Sequence, residues 1–291
     1  MNKGKELKDL NLLDRFLFDE AMEDKEFLEK VLGIILEKDI DLRHTPQTEK
    51  EIRRSTWNRQ IKLDVWAMDT EGSVHDAEVQ KKNTGNLPKR SRNYQSLIDS
   101  RLLMPGEVDF NEMNDVFIIL IMPFDLFGKG LYQYTFRMKR EEAAGLSLMD
   151  GATRIFLNTR GTNREGVSQE LVEMLRYFEE TTDERAEASG SETIRWMHDK
   201  IRSIKSSEEV GIKFMNAWEE KILERQEARA EGLREGILAG QTEEREQGIR
   251  KMIELCRELA LPPEDTAHKV AEKYRLEQEA INRYIKQYWN D

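Results

Sequence analysis

Residues 61–80, IKLDVWAMDTEGSVHDAEVQ, bring two carboxylates and an amide into an arrangement that suits a hard divalent cation. Asp64 falls in a strand-like run, 59–68, and Glu78 in a second, 73–80, with Gln80 two residues further on. Side chains of a strand alternate between faces, so Glu78 and Gln80 share one. Asp64 joins them if the hairpin register sets it opposite. Mg²⁺ takes oxygen ligands, keeps several waters and is typically bound by one or two carboxylates plus substrate phosphate. Mn²⁺ favours the same oxygen donors and is the alternative. Such an ion polarises a phosphoryl oxygen and acidifies a bound water, which is the chemistry of phosphodiester hydrolysis. Asp64 and Glu78 are the candidate metal ligands, with the backbone carbonyl of Val79 as a third.

Gln80 can carry no charge and cannot act as a base, although its amide can orient a water. Lys62, two residues before Asp64 and on the same strand face, is a candidate for the missing catalytic cation. Its alternative role is contact with phosphate or solvent. Arg90 and Tyr94 are four apart on one face of the following helix. They read as contacts to a DNA backbone or as support for the site; alternatively Tyr94 is a core aromatic. Between residues 50 and 92 ten basic residues stand against six acids, a local excess of four positive charges in a chain of net charge -11. The overall balance argues against a generally basic nucleic-acid binder, but phosphate contacts are made by local patches. Arg59, Lys81, Lys82, Arg90 and Tyr94 are the candidates for that contact, and a plain solvated face is the bland alternative.

Other chemistries find little support. The four histidines, His44, His75, His198 and His268, show no metal-ligand spacing, and His75 falls on the opposite strand face from Glu78. No glycine-rich phosphate loop follows a strand. The single cysteine, Cys256, excludes an internal disulfide framework and a cysteine zinc site. No apolar run approaches the roughly 18–20 residues of a membrane span. The first ten residues, MNKGKELKDL, lack the apolar core of a secretory signal, so the expected location is cytoplasmic.

The elements that must position these residues follow from periodicity. Apolar residues at threes and fours over 12–36 predict two helices with a break near 23–24. Residues 39–54 read as a loop or irregular strand. DTEG supplies turn chemistry between the two strands of the hairpin. A helix is expected over about 89–103, stopped by PGE. The run 115–125, DVFIILIMPFD, predicts a strand buried on both faces, 132–138 an edge strand and 153–159 another strand. Helices are expected over 169–179 and 192–204 with a linker between, and no strand signal follows residue 211. Strands and helices interleave up to about residue 160, which predicts an α/β core with a mixed sheet.

The tail repeats glycine at 232, 236 and 240, with Gly248 in phase. Glycine costs about 1 kcal/mol per helix position relative to alanine, so either close helix–helix approach or a frayed rod explains it. Residues 261–291 predict two short helices, of helix-turn-helix size or an ordinary helical hairpin. The expected division is a domain over 1–180 and a helical region over 181–291, the latter a candidate for homo-oligomerisation.

In series, LLDRFLFDEAMEDKEFLEKVLGIIL, IKLDVWAMDTEGSVHDAEVQ and RSRNYQSLIDSRLL resemble the PD-(D/E)XK nuclease family transposases, also called recombination-promoting nucleases. The resemblance is clearest over residues 10–180, and EGLREG in the tail is also similar. It implies a restriction-endonuclease-like fold, a mixed central sheet flanked by helices, and Mg²⁺-dependent cleavage of DNA, with recombination or transposition as the setting. Carried over, Asp64 is the metal-binding aspartate and Glu78 the second acid. Gln80 stands at the position of the signature lysine, a departure from the wider superfamily. Glu20 is the candidate for an acid contributed by the first helix. Three functions compete: an active endonuclease, a catalytically weak relative that binds DNA or protein, and a helical interaction protein.

Overall fold

A computed structural model describes residues 6–52, 61–102, 106, 109–140 and 145–289. Two helices, α1 (Arg15–Met22) and α2 (Lys25–Leu36), precede the sheet. They break where expected because the Asp24 carboxylate accepts the Phe27 amide at 3.1 Å, capping α2. Their apolar faces, Leu17, Phe18 and Met22 with Phe27, Val31 and Leu32, are fully buried.

Six strands form one mixed sheet: β1 (Gln47–Ile52), β2 (Ile61–Met68), β3 (Val74–Val79), β4 (Val116–Met122), β5 (Gln133–Phe136) and β6 (Ala152–Asn158). Their order is β1-β2-β3-β4-β6-β5. β1, β2 and β3 run antiparallel, β3, β4 and β6 are parallel, and β5 closes antiparallel on β6. The parallel step from β3 to β4 is made by α3 (Leu87–Leu102). The apolar run of β4 lies in the centre of the sheet and is buried on both faces. Within 39–54, a loop or irregular strand by its polarity, β1 is a regular strand at the sheet edge. Edge strands tolerate such charged composition, which hides them from an apolar-period reading.

One face of the sheet, through Val65, Ala77, Val79, Ile119 and Leu157, packs on α1, α2, α4 (Gln169–Glu179) and a later helix, α6 (Glu192–Ser206). The other, through Val74, Ile118, Leu120 and Phe156, packs on Leu87, Tyr94, Leu97 and Ile98 of α3. The segment between α4 and α6, expected to be a linker, contains a short helix, α5 (Asp183–Ala188). Thr182 caps it, and the Tyr177 hydroxyl, 2.9 Å from His198 Nδ1, and His198 Nε2, 2.7 Å from Asp183, tie it to both neighbours.

The chain divides into two compact units, Met1–Met215 and Asn216–Asp291. The first reaches past residue 180 because Ile194, Met197 and Ile201 of α6 lie in its core. The second holds most of the long helix α7 (Glu208–Glu258), then α8 (Pro263–Tyr274) and α9 (Gln278–Tyr288). Its own core is Ile249, Ile253, Val270 and Ile281. Gly248 lies so close to Tyr274 that a Cβ would stand 2.6 Å from its hydroxyl, and a side chain there would have to displace that ring. Around Gly232, Gly236 and Gly240 there is open space. No described helix is long and apolar enough to cross a membrane.

Candidate active site

Val65 lies opposite Ala77 and Trp66 opposite Asp76 in the β2–β3 ladder. The β2–β3 ladder ends at that Val65–Ala77 pair, and Asp64 and Glu78 are the next residues of the two strands beyond it, where β3 continues paired to β4 through Glu78–Leu120 and Val79–Ile121. Alternation gives Asp76, Glu78 and Gln80 the sheet face covered by α3, and the Asp64 charge lies close enough to act on Glu78. All three acids are buried, at 7%, 0% and 2% exposure for Asp64, Asp76 and Glu78.

Two arginines from different helices reach them. Arg15 Nη2, at the start of α1, lies 2.7 Å from Asp64 Oδ1. Arg90 Nη2, from the first turns of α3, lies 3.1 Å from Glu78 Oε2. The same Arg90 nitrogen donates to Gln80 Oε1 at 2.8 Å, and Gln80 Nε2 donates to the Lys82 carbonyl at 2.7 Å. The Arg90 guanidinium lies 5.6 Å from the centre of the Tyr94 ring.

Even so, the negative charge is not fully relieved. Burial, reinforced by the neighbouring Asp64 charge, pushes the Glu78 carboxyl up to about 8 against the pull of Arg90 and Arg15. Asp76 is pushed well above the carboxylate range by burial and then by Glu78 and Asp64. Neither of its oxygens has a hydrogen-bond partner. Burial and the Glu78 charge also raise the Tyr94 phenol.

The other candidate residues have separate placements. Tyr94 is buried in the α3-side core under Arg90. Lys81 pairs with Asp14, just ahead of α1, and Lys82 is exposed. Glu20 pairs with Lys213 at 3.4 Å, where burial raises its carboxyl and the lysine draws it down. The first-helix group that reaches the acids is therefore the cation Arg15. The Val79 side chain packs in the opposite-face core. Arg59 and the Lys62 side chain lie outside the described residues. His75 faces away from Glu78 as expected, stacked on Phe117 at 5.2 Å with Nε2 2.9 Å from Asp69. His44 and His268 are exposed and His198 is the buried partner of Tyr177.

Two members of the site, Asp76 and Arg15, escaped the sequence reading. Asp76 was marked by parity, since DAEVQ puts Asp76, Glu78 and Gln80 on one face. Arg15 carried no such mark, because its contact with β2 is made only by tertiary packing.

The donor set is all oxygen and holds more buried negative charge than two arginines relieve, which fits a hard cation. Among the described residues no group of three or more His, Cys, Asp or Glu side chains is arranged to hold a metal ion. An ion here would be held by Asp64 and Glu78 and complete its shell with water and phosphate.

Comparison with curated proteins and with solved structures finds no match. A family model described as PD-(D/E)XK nuclease family transposase covers residues 14–231, a span that contains both acids, both arginines and Gln80, and the chain belongs to that family.

Proposed function

We propose that the protein is a Mg²⁺- or Mn²⁺-dependent DNA endonuclease in which Asp64 and Glu78 hold the ion. Family membership supports a nuclease-like role, and PD-(D/E)XK nucleases generally use divalent ions. The observation that carries the reading is the approach of two buried acids where the β2–β3 ladder ends, Glu78 being pushed up to about 8 by burial and then by the Asp64 charge. When bound, the ion supplies charge to a phosphoryl oxygen and an acidified water. In the hydrolysis the water oxygen bonds to phosphorus as the P–O ester bond breaks. One water proton ends on the leaving alcohol and the other is released from the new phosphate. Asp64 and Glu78 fix the place of reaction. Arg15 and Arg90 restrain the acids, and exposed Lys82, with Lys81 and Arg59, takes the DNA backbone.

The test is nicking of supercoiled plasmid with Mg²⁺, Mn²⁺ or chelator. Asp64→Ala and Glu78→Ala are each expected to lower the rate at least about 100-fold, since changes one shell further out already cost about 10- to 100-fold. Equal nicking in chelator, or by both variants, would sink the reading. A second reading, a weak nuclease relative that binds DNA, draws support from Gln80, whose amide oxygen and nitrogen are both engaged within the protein. It expects salt-sensitive DNA binding without cleavage. The family description supports recombination or transposition as the setting. Exposed Leu233, Ile237 and Leu238 of α7 support self-association of the helical unit, and α8 and α9 keep the rhythm of a helix-turn-helix.

A further inference from the structure

Phosphodiester cleavage gathers negative charge on the phosphoryl oxygens, and a fixed cation beside them stabilises that transition state. A glutamine at position 80 brings no charge. We propose that Arg90 is the cation of this site and that Gln80 is a positioning residue that aims it. The proposal rests on the nuclease reading above and names a catalytic group within it.

The geometry runs through one nitrogen. Arg90 Nη2 donates to Gln80 Oε1 at 2.8 Å and to Glu78 Oε2 at 3.1 Å, so the guanidinium is held against a candidate metal ligand. The glutamine is itself anchored, because its Nε2 donates to the Lys82 carbonyl at 2.7 Å. That bond fixes which end of the amide faces Arg90: the oxygen accepts, and the nitrogen points away. One turn along α3, the Tyr94 ring lies 5.6 Å from the guanidinium and restrains its plane. Arg90 Nε is buried and has no hydrogen-bond partner. The side chain as a whole stays 27% exposed, and a phosphoryl oxygen is a fitting acceptor for the open part of a guanidinium. A lysine at position 80 would set a second cation against Arg90. A glutamine supplies the acceptor that Arg90 needs. Residue 80 and residue 90 thus complement each other, with the charge on α3 and its guide on β3's exit.

A purely structural Arg90 would only neutralise Glu78, and the two roles separate by experiment. The full-length protein is assayed for single-turnover plasmid nicking with Mg²⁺, and for Mn²⁺ binding by electron paramagnetic resonance. R90A is expected to lower the rate about 100- to 1,000-fold, the loss typical of removing one transition-state donor. Added guanidinium should recover part of it. Mn²⁺ should bind R90A at least as tightly as wild type, because a cation competing for Glu78 is gone. Gln80→Ala should slow wild type about 10-fold, yet change the rate of R90A by less than about 2-fold, as a residue acting through Arg90 must. If R90A does not fold, R90K carries the test, with an intermediate rate and retained Mn²⁺ binding. R90A within about 3-fold of wild type, or a rate loss that merely follows lost Mn²⁺ binding, overturns the proposal while the nuclease reading stands. A wild-type protein without metal-dependent nicking overturns both.

Discussion

Asp76 is two residues along β3 from Glu78, fully buried, with neither carboxyl oxygen hydrogen-bonded. Burying such a group without partners costs about 1–3 kcal/mol on the scale of protein mutations. Asp76→Leu, with the same branched four-atom side chain, is therefore expected to stabilise the metal-free protein by up to about that amount, read from urea unfolding in chelator. A loss of stability would show that the carboxyl has a role the fold depends on. The same stretch shows what a sequence can reveal about single residues. Asp64, Glu78 and Gln80 were legible because a strand has period two and a short turn limits the register. The engagement of Gln80 by Arg90 was not, because position 90 approaches β3 only after α3 has packed on the sheet. Arg15 shows the same limit more strongly, since α1 and β2 are joined by no local pattern.

At the scale of elements, the β2–β3 hairpin is held at its turn by Asp69. Its carboxylate accepts the Ser73 amide at 2.7 Å and the His75 Nε2–H at 2.9 Å. Burial lowers the affinity of His75 for a proton more than Asp69 raises it. For Asp69, burial pushes the carboxyl up, but the bonds from His75 and Ser73 more than offset it. Both folded-state values lie below the ordinary ones, so the unfolded chain binds more protons and acid favours unfolding. For His75 that loss begins as pH falls through the ordinary histidine value near 6.5, and Asp69 adds to it as pH falls through 3.8 and below. Between pH 7 and pH 5 this loss opposes the gain from Glu78 and Asp76, whose raised carboxyls bind protons in the folded state, so His75→Gln should make the change in melting temperature on acidification more favourable than in wild type. An unchanged slope in the variant would refute the assignment. Elements themselves were legible in proportion to their apolar periodicity. β4, β6, α1, α2 and α4 were plain, whereas β1 and α5 were not. β1 is a polar edge strand, and α5 buries only Ala186.

For the whole molecule, two separate cores divide the chain at Met215. Every residue of the proposed centre lies in the first unit. A protein ending at Met215 should fold cooperatively and retain metal-dependent nicking, measured by calorimetry and plasmid conversion. Loss of nicking with folding intact would give the helical unit a direct part in cleavage. The mixed α/β architecture was legible as a class, from interleaved strand and helix patterns. The placement of the division was not, because the polar segment before α6 looks like a linker until His198 and Asp183 are seen to join it.

The two arginine pairs also bear on how the protein comes into being. A zinc finger must find its ion before it can fold, because the ligands are its core. Here Asp64 meets Arg15 and Glu78 meets Arg90 within the chain's own packing, so the fold can close around these acids before any ion is in place.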